Sequence, residues 1–140
     1  GRLGLQDEPL FPGMFKLIND LKINKEFHIG VATNKSRIAL NNGLKKHNLI
    51  NIFDITLTMD EAKAKPDPDM AIQAMSMFNI EKKSTIIVGD TINDIGLGVN
   101  AGINSIGVAW GYNSIEMLRN EGADFIIKDS EELFDTIINL

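Results

Sequence analysis

Five side chains in this sequence could do chemistry together: Thr33, Asn34, Lys65, Asp90 and Asp94. They supply a hydroxyl, an amide, an ammonium and two carboxylates. In Gly89-Asp90-Thr91-Ile92-Asn93-Asp94 the first acid should leave a strand while the second enters the first turn of the following helix, so both carboxylates can face one small volume. They would repel each other without a cation. Hard oxygen donors with no His or Cys nearby in sequence favour Mg²⁺ over zinc, and Mg²⁺ takes one or two carboxylates together with waters and phosphate oxygens. Asp90 and Asp94 are therefore candidate metal ligands. Thr33 and Asn34 offer neutral donors beside the backbone N–H groups that open a helix, a setting that favours an anion. Lys65 adds a point charge that a phosphate can use. Each residue alone has a plainer use: the acids as helix caps, Thr33 as a helix-entry residue, Lys65 as a solvated surface lysine. Only their combination is specific. Lys35 and Lys63 compete with Lys65, which is preferred because Pro66 and Pro68 fix its setting.

The elements that must position these residues follow from hydrophobic pattern. Apolar runs of strand length fall at 27–33, 53–58, 85–89, 105–109 and 124–127. Between them, Phe15, Ile18 and Leu21, then Ile72, Met75 and Phe78, then Ile92, Ile95 and Val99 recur at helical spacing. This alternation predicts an α/β, doubly wound, mainly parallel Rossmann-like sheet with helices on both faces. Ser36, Asn113 with Glu116, and Ser130 read as helix starts. In Lys65-Pro66-Asp67-Pro68-Asp69, Pro66 biases Lys65 toward extended backbone, Asp67 can cap, and Pro68 suits the first helical position. Ligands of open α/β sheets bind outside the carboxyl ends of the strands, where Thr33, Asn34 and Asp90 should lie.

Composition narrows the function classes. The 140 residues, 44% of them apolar, can bury one core, and no linker or repeat divides them, so one domain over 1–140 is expected. Fourteen scattered Lys and Arg against nineteen acids leave no basic footprint for nucleic acid. No apolar run is long enough to span a membrane, and no signal sequence is recognisable, so a cytoplasmic setting is the default. Without cysteine there is neither a disulfide nor a thiolate metal site. A soluble protein that acts on small molecules fits better than one that binds nucleic acid or a membrane.

The order Val31-Ala32-Thr33-Asn34-Lys35-Ser36, then Lys65-Pro66-Asp67-Pro68-Asp69, then Val88-Gly89-Asp90-Thr91-Ile92-Asn93-Asp94 resembles the second, third and fourth motifs of the haloacid dehalogenase-like hydrolase superfamily. The likeness runs from Phe11-Pro12-Gly13 to Gly122-Ala123-Asp124-Phe125, and 107–113 is most like the phosphoglycolate phosphatase and related pyrophosphatase branch. The resemblance implies a Mg²⁺-dependent phosphomonoester hydrolase working through an aspartyl-phosphate. Thr33, Lys65, Asp90 and Asp94 would be catalytic, Thr33, Asn34 and Lys65 would hold phosphate, and Asp90 and Asp94 would serve the metal. Trp110 and Tyr112 form an aromatic pair after a strand, a setting that serves packing more often than it lines a site.

One departure stands against these agreements. The family's first motif, DxDxT/V at the end of the first strand, carries the attacking aspartate and a second acid that handles protons, and nothing before Thr33 matches it. Asp7-Glu8-Pro9 is not flanked by a strand, and Asp20 lies in an amphipathic helix. The expectation is a core lacking its central first strand and the cap that selects substrates, with a preceding segment or a second chain completing the sheet. A catalytically inactive fragment or binding module is the main alternative. A receiver domain would place its acids first, and no GxxxxGK[ST] supports a nucleotide-binding module.

Overall fold

The computed structural model describes the chain except residues 8–12, 25 and 110–113. Among the described residues, six strands alternate with six α-helices: β1 (Arg2–Gln6), α1 (Met14–Ile23), β2 (Phe27–Ala32), α2 (Arg37–Lys46), β3 (Ile55–Leu57), α3 (Asp69–Phe78), β4 (Thr85–Gly89), α4 (Ile92–Ala101), β5 (Asn104–Val108), α5 (Ile115–Glu121), β6 (Phe125–Ile127) and α6 (Ser130–Ile138). The sheet order is β3-β2-β1-β4-β5-β6, with every pair parallel. Consecutive strands add on one side of β1 and then, from β4 onward, on the other. The switch point of the sheet therefore lies between β1 and β4, where this class of fold binds ligands. No helix of the described residues is long and apolar enough to cross a membrane.

The central strand corrects the expectation of an empty slot. Arg2–Gln6 lies between β2 and β4, with Leu5 beside Gly30 on one side and Ile87 on the other. Side chains of a strand alternate between faces. Leu3 and Leu5, both fully buried, join Ala32, Leu57, Ile87 and Leu97 in the core beneath α3 and α4. The opposite core gathers Ile29, Ile86, Val88 and Ile106 under α1 and α6, and β1 presents Arg2, Gly4 and Gln6 on that side, without an apolar side chain. A small apolar cavity of about 30 Å³ remains against Gly4. Arg2 holds the start of the strand, its guanidinium 4.2 Å above the Phe27 ring and bonded to the Ile137 and Ile138 carbonyls of α6.

Helix phases differ in detail from the three-residue stripes. Phe15, Ile72 and Val99 are more than half exposed, whereas Met14, Leu17 and Ile18 of α1 and Met70, Ala71 and Ala74 of α3 are buried. Steps of three fall about 60° short of a turn, so the stripes 15/18/21 and 72/75/78 spread over about 120° and their first members, Phe15 and Ile72, leave the buried face. Ser36 caps α2 through the Ala39 N–H. At α6 the cap is Asp129 rather than Ser130, its carboxylate accepting from Glu132 N–H at 2.8 Å. At α5 the cap is Ser114; Asn113, Trp110 and Tyr112 lie outside the described residues.

Two glycines test the placement of β1. A Cβ on Gly4 would meet nothing closer than Ile86 at 4.0 Å, whereas one on Gly30 would lie 2.7 Å from Ile55 and 2.9 Å from Leu5. Gly4→Ala should raise stability by about 0.4–1 kcal/mol. Gly30→Ala should lower it by about 1–3 kcal/mol through overpacking. Urea unfolding of both variants checks the pair; a neutral Gly4→Ala would place β1 elsewhere.

Candidate active site

The carboxyl ends of β1, β2 and β4 deliver Asp7, Thr33 and Asp90 to one lip of the sheet, and the segment between β3 and α3 delivers Lys65 to the same place. Lys65 is 4% exposed. Its Nζ lies 2.5 Å from Asp94 Oδ1 and 3.6 Å from Asp7 Oδ2, so one ammonium joins β1 to α4. Burying a charge is costly unless it is paired, and removing one partner of such a pair destabilises by about 3–5 kcal/mol.

Asp94 is wholly buried and has both oxygens engaged. Oδ1 takes the Lys65 ammonium, while Oδ2 accepts from the Thr91 N–H at 3.2 Å and the Thr91 hydroxyl at 2.8 Å. With the Asp94 N–H donating back to Thr91 Oγ1, this completes a capping box at the start of α4. Gly89 is required for it: a Cβ there would sit 2.2 Å from the Asp94 carboxyl carbon. Asp94 therefore serves as helix cap and as counter-ion of Lys65 at once.

Asn34 fixes Lys65 from the other side. Its Oδ1 accepts from the Lys65 N–H at 2.7 Å and its Nδ2 donates to the Lys65 carbonyl at 3.0 Å. Pro66, joined to Lys65 by a cis peptide, packs on α4 where Gly96 leaves room, and its carbonyl accepts from Asn100 at 2.9 Å. Asp67 accepts from the Asp69 N–H, and Pro68 immediately precedes α3, one position earlier than its sequence setting suggested. Thr33 is 1% exposed; its hydroxyl oxygen accepts from the Lys35 N–H at 3.2 Å, and its N–H donates to Leu57.

Asp90 is half-buried beside these groups. Burial, then the Asp94 carboxylate and, more weakly, Asp7 push its carboxyl above the usual range, against smaller opposing pulls from its own backbone N–H and from Lys65. Asp7 corrects the sequence reading that no strand flanks it: β1 ends at Gln6, directly before it. The available signal was the alternation Arg2-Leu3-Gly4-Leu5-Gln6 immediately before it, the pattern of a short strand ending in an acid. Among the described residues, no group of three or more His, Cys, Asp or Glu side chains is placed to hold a metal ion. The two carboxylates Asp7 and Asp90 suit a hydrated, hard cation that takes its remaining ligands from water and phosphate.

The chain matches the family of haloacid dehalogenase-like hydrolases over residues 5–108. It is 31% identical over 121 residues to the pyrophosphatase PpaX of Bacillus velezensis, covering 86% of this chain and 56% of that protein. The pyrophosphatase PpaX of Listeria monocytogenes is 30% identical over 124 residues, 88% of this chain and 57% of its own. A predicted phosphatase from Clostridium acetobutylicum superposes with a TM-score of 0.81 at 32% identity, over 93% of this chain and 60% of the other. The chain thus spans a little over half the length of the relatives it matches. The strand order, the match over three quarters of its length and these likenesses make this chain a member of the haloacid dehalogenase-like hydrolase family.

Proposed function

We propose that this chain forms the phosphoryl-binding core of a Mg²⁺-dependent phosphomonoester hydrolase, with Asp7 as the group that attacks phosphorus. The observation that carries this reading is the Lys65 ammonium, buried between Asp94 and Asp7 at the switch point of the sheet. A buried ammonium with one carboxylate close and a second at longer range retains charge for an incoming anion. The PpaX relatives are pyrophosphatases and the Clostridium protein is a predicted phosphatase, which favours a small phosphorylated metabolite as substrate.

Asp7 and Asp90 would hold Mg²⁺, whose binding relieves the repulsion that raises the Asp90 carboxyl. When bound, the ion neutralises charge between the attacking carboxylate and the phosphoryl oxygens. Asp94, with both oxygens engaged, orients Lys65 rather than ligating. Asn34 acts likewise, through the Lys65 backbone. Thr33 retains its hydroxyl proton for a phosphoryl oxygen, and Lys65 neutralises the group as charge builds. The Asp7 carboxylate attacks in line: an Asp7–phosphorus bond forms as the ester P–O bond breaks, and the leaving oxygen takes a proton from solvent. Water then cleaves the acyl phosphate, releasing inorganic phosphate and the free carboxylate.

The position two residues after Asp7, where the resemblance places the acid that protonates the leaving group, is Pro9. A positioned general acid is worth about 10²–10⁴ in rate. Unassisted departure therefore restricts turnover to good leaving groups, and aryl phosphates should be hydrolysed at least about 100-fold faster than alkyl phosphates. Pro9 also favours a second reading, a module that holds phosphate and cation without turnover. Metal-dependent release of nitrophenol from its phosphate ester, compared with equilibrium binding of inorganic phosphate, separates them: binding without turnover selects the second.

Asp90→Asn should lower Mg²⁺ affinity by more than about 100-fold, beyond what loss of an outer hydrogen-bond partner costs a metal site. The sign for the metal-free protein is opposite. A carboxyl whose folded pKa is raised makes the fold less stable once ionised, as pH climbs through its unfolded and then its folded value. Removing that charge should raise the neutral-pH unfolding midpoint without metal. Calorimetric titration of Mg²⁺ and thermal unfolding of Asp90→Asn check both directions. Thr33→Val should reduce aryl phosphate turnover by about 10²–10³ while leaving Mg²⁺ affinity unchanged, as expected for loss of one donor to the reacting group.

A further inference from the structure

Beyond the site lies a second fastening of the segment that carries Lys65. The Arg37 guanidinium, in the first turn of α2, meets both Glu61 oxygens, with Nη2 to Oε1 at 2.5 Å and Nε to Oε2 at 3.4 Å. The same fork donates to the Thr56 hydroxyl at 2.6 Å and the Thr56 carbonyl at 2.7 Å on β3. Glu61 also accepts from the Thr58 N–H and hydroxyl, closing a single turn whose Ala62 N–H reaches back to the Thr58 carbonyl. The backbone repeats the stitch: Arg37 N–H donates to Asp60 Oδ2 at 2.9 Å, and Met59 N–H donates to the Lys35 carbonyl at 3.2 Å.

We propose that Arg37 and Glu61 are positioning residues for phosphate binding, a clamp that registers the 58–65 segment against the loop after β2 so that Lys65 meets the phosphoryl group. The proposal rests on the phosphatase reading above. Two loops must agree in height at the lip of the sheet, since Thr33 comes from one and Lys65 from the other. Asn34 ties them at the inner end, and the Arg37–Glu61 fork ties them at the outer end. Burial pushes the Glu61 carboxyl up, but hydrogen bonds from Arg37 and Thr58 outweigh it and hold it below the usual carboxylate range, so the clamp is charged at neutral pH. The two side chains are 31% and 35% exposed, and an ion pair that open to solvent contributes little to global stability. Its contribution is geometric: two parallel bonds from a planar fork define an orientation that a lysine cannot reproduce.

The test is calorimetric titration of inorganic phosphate in saturating Mg²⁺, and of Mg²⁺ alone, on wild type, Arg37→Ala, Glu61→Ala and Arg37→Lys, each checked by thermal unfolding. Phosphate affinity should fall about 10-fold to 100-fold in both alanine variants, as displacement of a binding group by about 1 Å can produce. Arg37→Lys should lie between them and wild type. Mg²⁺ affinity should not move, because Asp7 and Asp90 follow the carboxyl ends of β1 and β4 and lie outside the clamped segment. Unchanged phosphate affinity in both alanine variants would overturn the clamp, as would equal loss of phosphate and Mg²⁺ binding with a lowered unfolding midpoint, which marks a general structural role. Failure of wild type to bind phosphate at all would instead sink the phosphatase reading, and the clamp's purpose with it.

Discussion

Much of this structure is explained by the need to keep one ammonium charged while almost out of contact with water. Lys65 can be buried only if carboxylates stand beside it, and the fold brings one from α4 and a second from the end of β1. Each arrangement that secures Lys65 then has consequences further away. Asp94 must fold back over the end of β4, so residue 89 must be glycine; Pro66 must lie on α4, so residue 96 must be glycine. The same carboxylate that neutralises the lysine also caps the helix, so charge pairing and helix initiation are one interaction.

The acids around this lysine do not balance. Asp7, Asp90 and Asp94 share a volume with a single buried cation among the described residues, and burial, then repulsion from the other acids, raises the carboxyl of Asp90. A protein selected for stability alone would not keep it. Perturbed carboxyls of this kind gather where a cation or a reacting group is to be held. Their placement at the switch point of a β3-β2-β1-β4-β5-β6 sheet gives an independent, topological reason to locate chemistry there.

How much of this could be read from the sequence varied with the kind of physics involved. Strands β2 to β6 are legible as apolar runs of strand length, most clearly β4, whose five residues are all buried, a pattern few other environments produce. β1 escaped notice because Gly4 occupies its inward position over a cavity and a charged Arg2 opens it, leaving only Leu3 and Leu5 as signal. The rejection of Asp7 in the sequence has the same cause, since an acid gains meaning only from the strand that ends before it. The Thr33, Lys65 and Asp90 positions stood out by order and setting. The separate tasks of Asn34 and Asp94 did not, because hydrogen bonds across 31 and 29 residues leave no trace in local pattern. The cap of α6 shows the smaller error: adjacent Asp129 and Ser130 both suit the position, and geometry chose the carboxylate.

The central claim, that a hydroxyl, a buried ammonium and two acids converge on one phosphoryl site, is tested most directly by a crystal structure grown with Mg²⁺ and beryllium fluoride, which mimics a phosphoryl group on a carboxylate. The account predicts the fluoride group on Asp7, with Thr33 Oγ1 and Lys65 Nζ within hydrogen-bond distance of its fluorines and Mg²⁺ against Asp90. A structure with the group bound elsewhere, or with Asp7 and Lys65 on different sides of the sheet, would contradict it.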